Sequence, residues 1–580
     1  MITPELLAVA RGDAPAHLLL RGARIVNVFT GEVEEGSVAV YGDRIAGVGA
    51  YDQGERSVDL KGAYVAPGFI DAHMHVESTF LPPSQFVRLA VPHGTTGVVL
   101  DPHEIANVLG LSGIRYIMDD ARGLPIDAMF ALSSCVPSSY LENSGARLDA
   151  SDLAPLFDDP RVVALAEMMN FPGVVNADPA VLAKVNLGLS HAVVDGHCPG
   201  LTGRALRAYA AAGITSDHEC TSAAEAAEKV RLGMMVYIRE GSAARNLEAL
   251  LSAVTRDTRR RFAFCTDDRH PADLRDEGHI DHVVRRAVSL GLDPVAAITM
   301  ATLNPAEHYR RAGVGAIAPG YFADMIVFDD LREIRPRRVY FRGELVAENG
   351  AMVDAAPGPG AGHSRPAAPR KALFLPASLD ASAFAIRPAG AAPAAMIRVI
   401  GMDPHQLITA PLTMPPRVER GEYAADPARD LLKLAVIERH RGSGNIGLGF
   451  VHGFGLRAGA IASTVGHDSH NLTVVGVTDR DMLAAARALR VCGGGQCVVR
   501  DGEVLAVLPL PIAGLMSDQP AEVVIEQQRA LLAAAKAIGS PHHDPFMPLS
   551  FMPLPVIPHL KLTDLGLVDV DRFTVVPLEV

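Results

Sequence analysis

Two histidines on alternate residues, His73 and His75, are the part of the sequence with the clearest chemical potential. They closely follow the apolar residues 63–67, which read as a β-strand. Side chains two residues apart lie on the same face of a strand, so both imidazoles can bind one metal ion. A neutral imidazole is the commonest metal ligand in proteins. The His-x-His pattern is also common in purely structural strands, so this prediction depends on the rest of the chain.

Further potential ligands follow short β-like runs downstream. Seven more runs of apolar and β-branched residues each end in side chains that can bind metal or move protons. Among these runs, residues 191–196 lead to His197 and residues 213–217 lead to His218, and sequence compatible with helices, such as residues 203–212 and 222–232, separates most of the runs. The side chains at the seven run ends are Asp101, His103 and Glu104; Ser133 to Cys135; Glu167; His197; His218; Arg239 and Glu240; and Asp267 and Asp268.

Eight strand–helix units with chemistry at the strand ends predict an α/β fold, a (β/α)8 TIM-type barrel with its active site on that face. A single polar residue at the end of a core strand usually has only a structural role. Several metal-binding side chains at five of the eight strand ends instead indicate one shared site. The predicted ligands are His73, His75, Glu167, His197, His218 and Asp267.

These ligands resemble the amidohydrolase superfamily, whose members build one or two divalent metals into a barrel. The closer resemblance is to the adenine deaminase family of that superfamily. It is carried by residues 67–78, 101–108, 265–271 and 465–471, and it covers nearly the whole chain. The resemblance implies that His73 and His75 bind one ion, His197 and His218 a second, with Glu167 as the bridge and Asp267 completing the shell of the first.

The bridging residue bears on the number of metals. Many members of the superfamily use a carboxylated lysine as the bridge, whereas this sequence has Glu167 there, as the adenine deaminase resemblance implies. Many deaminases of the superfamily use one metal, but a glutamate bridge favours two. The set of histidines and carboxylates accepts Mn²⁺, Fe²⁺ or Zn²⁺, and we expect two divalent ions, with Mn²⁺ as the first choice.

The implied reaction is the hydrolytic deamination of adenine to hypoxanthine and ammonia, a step of purine salvage. Two cations about 3.5–4 Å apart can share a hydroxide near neutral pH, and this metal-bridged hydroxide is expected to attack C6. Asp267 is the candidate that carries a proton to the leaving amine. Ring N1 must also be protonated, and Glu104, Glu219 and His103 are the open candidates for that acid.

Some of these side chains also have simpler structural roles open to them. Glu104 could cap a helix that begins near Ile105, and Glu219 could only orient His218. Other polar side chains lie at strand ends that face the predicted pocket. The predicted substrate-binding residues are Asp101, Arg239 and Asp268.

Two other classes of function compete with deamination. A binuclear cyclic-amide hydrolase similar to dihydroorotase or hydantoinase would use the same metal pair on a carbonyl carbon. It would be expected to have a lysine bridge and basic residues near the pocket, whereas this chain has Glu167 and several acidic residues. A non-catalytic scaffold typically loses metal ligands, and this sequence retains all six. Adenine deamination is the preferred prediction and cyclic-amide hydrolysis the alternative.

Two short motifs remain. His75-Val76-Glu77 matches half of the signature of the zinc nucleobase deaminases, but the Pro-Cys-x-x-Cys half is absent from the sequence, so the match is accidental. The motif His467-Asp468-Ser469-His470 is typical of the resemblance, but its role is open. It could close the mouth of the barrel, bind another metal or only hydrogen-bond a loop.

The chain of 580 residues is long enough for two or three domains. A small β-sandwich domain is predicted to flank the barrel, and a proline- and alanine-rich linker is predicted to lead into a separate C-terminal α/β domain. The predicted ranges are 1–62 plus 312–355 for the flanking domain, 63–311 for the barrel, 356–395 for the linker and 396–580 for the C-terminal domain.

The composition indicates a cytoplasmic enzyme that acts on a small molecule. A net charge of −13 disfavours binding to nucleic-acid phosphates. No apolar run approaches the roughly 18 residues of a membrane span, and the N-terminus lacks the layout of a signal peptide. Six cysteines without paired spacing favour a reducing compartment. Adenine and water are the expected partners, without nucleic acid or membrane, and a homodimer is expected because large barrels of this family often pair.

Overall fold

The computed structural model describes residues 2–242, 244–353, 365–370, 373–376, 379–390, 392–403 and 408–580. Parts of the predicted linker 356–395 lie outside these ranges, as do residues 354–355 of the predicted flanking domain and 404–407 of the predicted C-terminal domain. The described residues mix strands and helices throughout, which confirms the coarse prediction of an α/β protein. Within them, no helix is both long and apolar enough to cross a membrane.

The first half of the chain contains the strands that precede the predicted ligands and a set of eight strands, β6 to β13. This set is called ligand-bearing below because five of its strands lead to a predicted metal ligand. The preceding strands are β1 (Ala16–Asn27), β2 (Glu32–Tyr41), β3 (Arg44–Gly49), β4 (Gly54–Asp59) and β5 (Tyr64–Pro67). The ligand-bearing strands are β6 (Phe69–Met74), β7 (Thr95–Leu100), β8 (Asp127–Leu132), β9 (Val162–Met168), β10 (Val193–Gly196), β11 (Ser216–Asp217), β12 (Met235–Arg239) and β13 (Phe262–Cys265).

The second half is richer in antiparallel pairs. After the ligand-bearing strands come β14 (Met325–Phe328), β15 (Arg338–Phe341), β16 (Glu344–Glu348) and β17 (Ala351–Met352). Later strands are β18 (Ile397–Gly401), β19 (Ala410–Met414), β20 (Arg417–Glu419), β21 (Glu422–Ala424), β22 (Leu431–Ile437), β23 (Ile446–His452), β24 (Ala460–Ser463), β25 (Leu472–Gly476), β26 (Gly495–Arg500), β27 (Glu503–Pro509), β28 (Leu560–Thr563), β29 (Gly566–Asp569) and β30 (Thr574–Val575).

Helices follow most of the ligand-bearing strands. Up to the end of those units they are α1 (Pro4–Arg11), α2 (Pro83–Ala90), α3 (His103–Leu109), α4 (Leu111–Asp120), α5 (Ala150–Leu153), α6 (Phe171–Val175), α7 (Pro179–His191), α8 (Gly203–Ala211), α9 (Ala223–Arg231), α10 (Leu247–Leu250), α11 (Pro271–Asp276), α12 (Ile280–Ser289), α13 (Pro294–Met300) and α14 (Leu303–His308). The C-terminal region adds α15 (Asp479–Cys492), α16 (Ala521–Ala537) and α17 (Phe546–Ser550).

The ligand-bearing strands run parallel and curl. In the described residues they form one sheet of order β10-β9-β8-β7-β6 and another of order β11-β12-β13. A parallel bridge between Met74 and Asp267 joins the first of these strands to the residues that follow the last. The backbone N–H of Thr215 also donates to the carbonyl of Val194, at 3.0 Å, beside the gap between β10 and β11. The carboxyl ends of these strands therefore meet around one centre.

Strands on both sides of these units hydrogen-bond in one sheet. β5 pairs with β14, and in the described residues the sheet of which they are part has nine strands. A separate sheet of order β19-β18-β23-β22-β25-β24-β26-β27 lies in the C-terminal region. Helices α15 and α16 follow strands of this sheet, as the alternation in the sequence indicates.

Helix predictions were more accurate than strand predictions. The helices predicted at 203–212 and 222–232 are α8 and α9, and the Ser222 hydroxyl accepts from the backbone N–H of Glu225 to begin α9. The strand predicted from His191 is wrong at its start, because His191 ends α7 and β10 begins at Val193. The strand predicted for 213–217 is only the two residues of β11, because Gly213, with a φ of 90°, ends the turn after α8.

Candidate active site

The six predicted metal ligands lie together at the carboxyl ends of the parallel strands, and all are buried. His73 and His75 leave β6 on the same side, with their ring centroids 4.8 Å apart. The rings of His197 and His218, from the ends of β10 and β11, lie 5.3 Å apart. The ring of His73 stacks on that of His218 at 4.2 Å, so the two pairs form one cluster.

Glu167 lies between the two histidine pairs. Its Oε1 is 3.3 Å from Nε2 of His75 and 3.9 Å from Nε2 of His73. Its Oε2 is 2.7 Å from Nδ1 of His197 and 3.2 Å from Nε2 of His218. One carboxylate oxygen therefore faces each pair, which is the arrangement that a bridging ligand requires.

Asp267 and Arg239 close one side of the cluster. Oδ1 of Asp267 lies 3.1 Å from Nε2 of His75 and 3.5 Å from that of His73. Its Oδ2 accepts a 2.7 Å hydrogen bond from Nη1 of Arg239. The same guanidinium donates to both oxygens of Glu219, with Nη2 to Oε2 at 3.0 Å. Arg239 thus fixes two carboxylates beside the histidines.

The surroundings of Glu167 and Asp267 favour their ionised forms. Burial opposes ionisation of Glu167, but hydrogen bonds from its histidine neighbours hold the pKa of this carboxyl well below its usual range. Burial also opposes ionisation of Asp267. The charge of Arg239 and the hydrogen bonds from His73 and His75 nevertheless hold the pKa of the Asp267 carboxyl well below its usual range. Ionised carboxylates are the form that binds divalent cations.

The donor set fits a divalent metal. Nε2 of His73 and Nε2 of His197 are buried and have no hydrogen-bond partner among the described residues. Two groups of three residues, both of which include His73, have potential ligand atoms within 4.8 Å of one another. They are His73, Glu167 and His218, and His73, His75 and Asp267. Buried nitrogens without partners are costly unless something occupies their lone pairs, and a metal ion would do so.

His103 lies at the start of α3, on the side of the cluster away from Arg239. Its Nδ1 is 3.1 Å from Oδ2 of Asp101 and 3.2 Å from Oε1 of Glu167. Asp101 also accepts from the Ser133 hydroxyl at 3.1 Å. Asp101, predicted to bind substrate, is therefore turned towards His103, and it does not line the central cavity in the part of the chain that the structure describes.

The predicted acid Glu104 also lies behind the cavity wall. The Ser78 hydroxyl oxygen lies 2.9 Å from its Oε1, and Nδ1 of His467 is 3.7 Å from the same oxygen. The suggestion that Glu104 caps the following helix is wrong. The backbone N–H of Ile105 donates to Glu77 instead, at 3.1 Å, since α3 already begins at His103.

Other predicted side chains do reach the cavity. Asp268 lines it, and its Oδ1 accepts from the Ser78 hydroxyl at 2.5 Å. Glu219 does not only orient His218, because its carboxylate is bound by Arg239 and lines the same space. The cavity is lined by His75, His103, Glu167, Met169, His197, His218, Glu219, Arg239, Asp267, Asp268, His467, Asp468, Phe551, Leu554 and Ile557.

The C-terminal region contributes one wall of this cavity. Nothing in the sequence indicated that three residues of this wall would lie there. Phe551, Leu554 and Ile557 present apolar surface, and the ring of Phe551 stacks on that of His467 at 4.4 Å with an interplanar angle of 5°. The enclosed volume is about 20 Å³, which is room for about one water molecule. A ligand larger than water can therefore enter only if part of this wall moves.

Glu77 lies beside the start of α3 and does not line the central cavity in the described residues, and its sequence context suggested only an accidental motif. It is buried against Glu104. Burial and the neighbouring charge of Glu104 raise the pKa of Glu77 to about 8. Its place in the segment 67–78, which carries the resemblance, is the signal in the sequence that could have found it.

A larger cavity of about 810 Å³ lies outside the metal cluster. Its lining includes Ser134, Lys184 and Phe573, and Lys184 donates to the carbonyl of Ser134 at 2.7 Å. Of the predicted catalytic, substrate-binding and metal-binding residues, none lines it in the described chain. The larger cavity is therefore not the one around the predicted site residues.

Two family models match the chain. The model described as "Amidohydrolase family" matches residues 64–347, and the one described as "Adenine deaminase C-terminal domain" matches residues 406–574. The first match includes every ligand of the histidine cluster. The second includes His467, Asp468 and the apolar wall formed by Phe551 and its neighbours.

Full-length relatives agree with both models. The chain is 49% identical over 579 residues to a protein of Desulfatibacillum aliphaticivorans named "Adenine deaminase", covering 100% of both chains. It is 48% identical to "Adenine deaminase 2" of Carboxydothermus hydrogenoformans and 47% identical to "Adenine deaminase" of Methanothrix thermoacetophila, each with 99% of both chains covered. The similarity therefore extends from end to end.

Proposed function

The chain belongs to the adenine deaminase family of amidohydrolases, and on that premise we propose that it hydrolyses adenine to hypoxanthine and ammonia. The observation that carries the proposal is the position of Glu167 between two histidine pairs, with one oxygen towards each pair. This arrangement suits two divalent ions held side by side, with Asp267 completing the coordination of one of them.

The metals would be held by the six buried ligands, and we propose two ions, with Mn²⁺ as the first choice. When bound, such a pair supplies a water molecule that is ionised near neutral pH. Histidine and carboxylate ligands also suit Fe²⁺ and Zn²⁺, so the ion in the cell follows availability as well as affinity.

Two carboxylates of the site are placed to move the protons of the reaction. Hydrolysis adds one water: one of its protons must reach ring N1 and remain there, and the other must reach the exocyclic nitrogen so that ammonia can leave. We assign the first transfer to Glu219, which lines the cavity beside His197 and His218. We assign the second to Asp267, whose Oδ1 faces the histidines while Arg239 fixes its Oδ2.

This assignment gives each carboxylate a task that matches its position. Glu219 accepts the proton that the water loses when it is ionised, and it passes that proton to N1 as the oxygen bonds to C6. Asp267 then accepts the hydroxyl proton of the tetrahedral carbon and passes it to the amine as the C6–N bond breaks. Glu104 is a weaker candidate because Ser78 and His467 separate it from the cavity.

Once part of the apolar wall has moved, the lining of the cavity suits a flat heteroaromatic ring. Phe551, Leu554 and Ile557 offer an apolar wall, and an aromatic ring can stack on Phe551. On the polar side, Asp268 can accept a hydrogen bond from a ring N–H, because Ser78 holds only one of its oxygens. A purine meets both requirements.

We also propose that the two parallel sheets form one closed (β/α)8 barrel. The bridge between Met74 and Asp267 supports closure on one side. The bond from Thr215 to Val194 supports it on the other. Ligands at the carboxyl ends of the strands are the arrangement that such barrels use for catalysis. The predicted domain boundaries, homodimer and cytoplasmic location stay predictions.

Ammonia release from adenine by the reconstituted protein tests the function. Metal-free protein is loaded with Mn²⁺ and assayed with adenine, with dihydroorotate and hydantoin as competing substrate classes. We expect ammonia from adenine and no ring opening of either cyclic amide, and a loss of more than about 100-fold in ammonia release in Glu167→Gln, since even outer-shell partners of a metal site are worth 10–100-fold.

The matched control is Glu240→Gln. Glu240 is a buried carboxylate one residue past Arg239, and it accepts from the backbone N–H of Leu247 at 2.8 Å rather than facing the cavity. We expect this variant to keep adenine turnover within a few-fold of the unmodified protein. Turnover of a cyclic amide without ammonia release from adenine would overturn the proposal.

A further inference from the structure

A second cluster of potential ligands lies where the C-terminal region meets the parallel strands. The loop between β24 and β25 carries His467 and Asp468 to the mouth of the curled sheets, where His103 and Glu104 begin α3. The backbone N–H of His467 donates to the carbonyl of Ser550 at 2.7 Å, which fixes the loop against α17. All four side chains are buried.

We propose that His103, His467 and Asp468 bind a third divalent cation, with Glu104 as a further ligand. Ligand atoms of the first three residues lie within 4.8 Å of one another. Neither the amidohydrolase reaction nor the two ions assigned to Glu167 require such a site, so the inference goes beyond the proposed function.

The distances in this cluster are longer than most hydrogen bonds and match the separation of ligands around an ion. Nε2 of His103 is 3.5 Å from Oδ1 of Asp468, and Nδ1 of His467 is 3.7 Å from the same oxygen. Nδ1 of His467 is also 3.7 Å from Oε1 of Glu104. Hydrogen bonds between such groups are about 2.7–3.2 Å long. Ligands about 2.1 Å from a tetrahedral cation lie about 3.4 Å from one another.

The cluster repeats what is seen at the six-ligand centre. There, Nε2 of His73 is 3.5 Å from Asp267 and has no hydrogen-bond partner among the described residues. Nε2 of His103 is 3.5 Å from Asp468 and, within the same described ranges, also has none. Oδ2 of Asp468 and Oε2 of Glu104 are likewise without one there. The exposed fractions of His103, His467 and Asp468 are 3%, 4% and 1%, so bulk solvent does not reach these atoms, and the central cavity that they also line has room for about one water molecule.

The surroundings of His103 orient it for this role. Oδ2 of Asp101 lies 3.1 Å from its Nδ1, and the Ser133 hydroxyl holds the other oxygen of Asp101. A carboxylate on one ring nitrogen directs the other towards a metal, as is usual for metal-binding histidines. With Nδ1 protonated towards Asp101, Nε2 of His103 presents its lone pair to Asp468 and His467.

A cation at this position would join two regions of the chain. It would connect the loop after β7 to the loop after β24, and so hold the C-terminal wall of the cavity in place. Two imidazoles with one or two carboxylates suit Zn²⁺, Mn²⁺, Fe²⁺ or Co²⁺. The positive charge would also offset Asp468 and Glu104, which lie buried side by side with the histidines.

Metal content per chain tests this proposal without relying on activity. Metal-free protein is reconstituted with Mn²⁺, and separately with Zn²⁺, then freed of loose ions by gel filtration and analysed for metal. We expect three ions per chain in the unmodified protein and two in His467→Asn and in Asp468→Asn. Glu167→Gln is expected to lose ions of the six-ligand centre but keep the third.

Asp544→Asn is the matched control. Asp544 is a carboxylate at the same junction that pairs with a histidine, with Oδ2 3.1 Å from Nε2 of His270. That distance is the length of a direct hydrogen bond, and Oδ1 of Asp544 accepts from the backbone N–H of Phe546 at 2.8 Å. Oδ1 thus has a backbone partner, and Oδ2 lies closer to its histidine than Asp468 lies to His103 or His467, so we expect the variant to keep three ions.

An anomalous difference map of Mn²⁺-loaded crystals then locates the third ion. We expect a peak between His103, His467 and Asp468 in addition to those at the six-ligand centre. Two ions in the unmodified protein, or a third ion bound elsewhere, would overturn the proposal whether or not adenine is deaminated.

Discussion

Single residues in the site owe their charge state to the groups fixed around them. Glu167 stays ionised because histidines face both of its oxygens, and Asp267 stays ionised because Arg239 binds one oxygen and histidines face the other. Isolated carboxylates buried to this degree would take up a proton instead. Arg239 therefore does two things at once: it keeps Asp267 charged and it fixes Glu219.

Replacing Arg239 by methionine tests this coupling. The change leaves Glu219 and Asp267 buried without their partner, and breaking a buried pair in this way costs about 3–5 kcal/mol. We expect a lower midpoint of thermal unfolding and a fall in kcat of more than about tenfold. Lysine at the same position should rescue only part of the loss, since it cannot bind Glu219 through two nitrogens.

Arg269→Met is the control for that variant. Arg269 is also fully buried and pairs with Glu277 at 2.8 Å, but it does not line the cavity. It should lower stability while the folded enzyme keeps its kcat. Equal losses of kcat in the two variants would show that Arg239 acts only through stability.

Asp281 gives a pH dependence that is independent of the metals. Burial opposes its ionisation, but His93 and Arg285 lower the pKa of Asp281 to about 2. The folded pKa lies below the unfolded value, so the stabilisation is present above about pH 4 and is lost as the pH falls towards 2. Asp281→Asn should reduce stability by about 2 kcal/mol at pH 7.

Thermal unfolding midpoints from pH 7 to pH 2 check this expectation. The difference between the variant and the unmodified protein should be constant down to about pH 4 and then shrink. A control is Asp276→Asn, because Asp276 is an exposed carboxylate whose ion pairs contribute little. A difference that stays constant down to pH 2 would contradict the role given to Asp281.

That the six histidines and carboxylates lie together was predictable at this scale, whereas the partners of the other side chains were not. The common position of His73 and His75 was predictable because side chains two residues apart lie on the same face of a strand. The pairing of Arg239 with Glu219, and the turn of Asp101 towards His103, depend on loops whose geometry comes from the whole fold. A strand end predicts where a side chain starts but not which neighbour it meets.

At the scale of elements, helices begin almost directly at strand ends and so fix the orientation of the polar residues. α3 starts at His103, three residues after β7 ends, which leaves Asp101 and His103 a short, defined turn. The amphipathic helix α9 was predictable from the sequence because the cap at Ser222 marks its start. β10 and β11 were misjudged because such short strands have little pattern of their own, and their pairing defines them.

The apolar segment after α17 is the element that encloses the cavity. Phe551 stacks on His467, and Leu554 and Ile557 continue the wall. Phe551→Ala removes the aromatic surface on which a purine can stack. We expect KM for adenine to rise about tenfold, since stacking on an aromatic side chain is worth about 1–3 kcal/mol per base, with a smaller change in kcat.

Steady-state kinetics with adenine separate these two constants. Phe374→Ala is the control, because Phe374 is a phenylalanine outside the cavity with 48% of its surface exposed. It should change neither constant. A fall in kcat at constant KM in Phe551→Ala would show instead that the segment acts on the chemistry rather than on binding.

At the scale of the whole molecule, the active site is shared between regions far apart in the sequence. The parallel strands supply the six ligands, while residues beyond 460 supply His467, Asp468 and the apolar wall. The long loop after β8 also packs against the C-terminal region, since the Thr563 hydroxyl donates to the carbonyl of Leu141 at 2.7 Å. No pattern within either region could predict this, because it depends on contacts more than 300 residues apart in the chain.

Asp564, in the turn between β28 and β29, is the strongest of these long-range links. Its two oxygens accept from the backbone N–H of Asn143 at 3.0 Å and from the Asn143 side chain at 2.7 Å. The loop that contains Asn143 begins at Ser133, and the Ser134 hydroxyl donates to the backbone carbonyl of Glu167 at 2.7 Å. Asp564, which contacts none of the proposed metal ligands in the described residues, is thus connected to Glu167 through a single loop.

Asp564→Ala should therefore weaken catalysis from a distance. Loss of both acceptors leaves partly buried donors of Asn143 unsatisfied, at a cost of at most about 1–3 kcal/mol each, and the loop is expected to open. We expect faster hydrogen exchange across residues 139–145 and a fall of about tenfold in kcat/KM for adenine. Asp569→Ala in the same hairpin, which removes only an acceptor for the backbone N–H of Arg572, should leave both unchanged. If exchange in the loop rises while kcat/KM does not fall, the C-terminal region only covers the site and does not hold Glu167 in place.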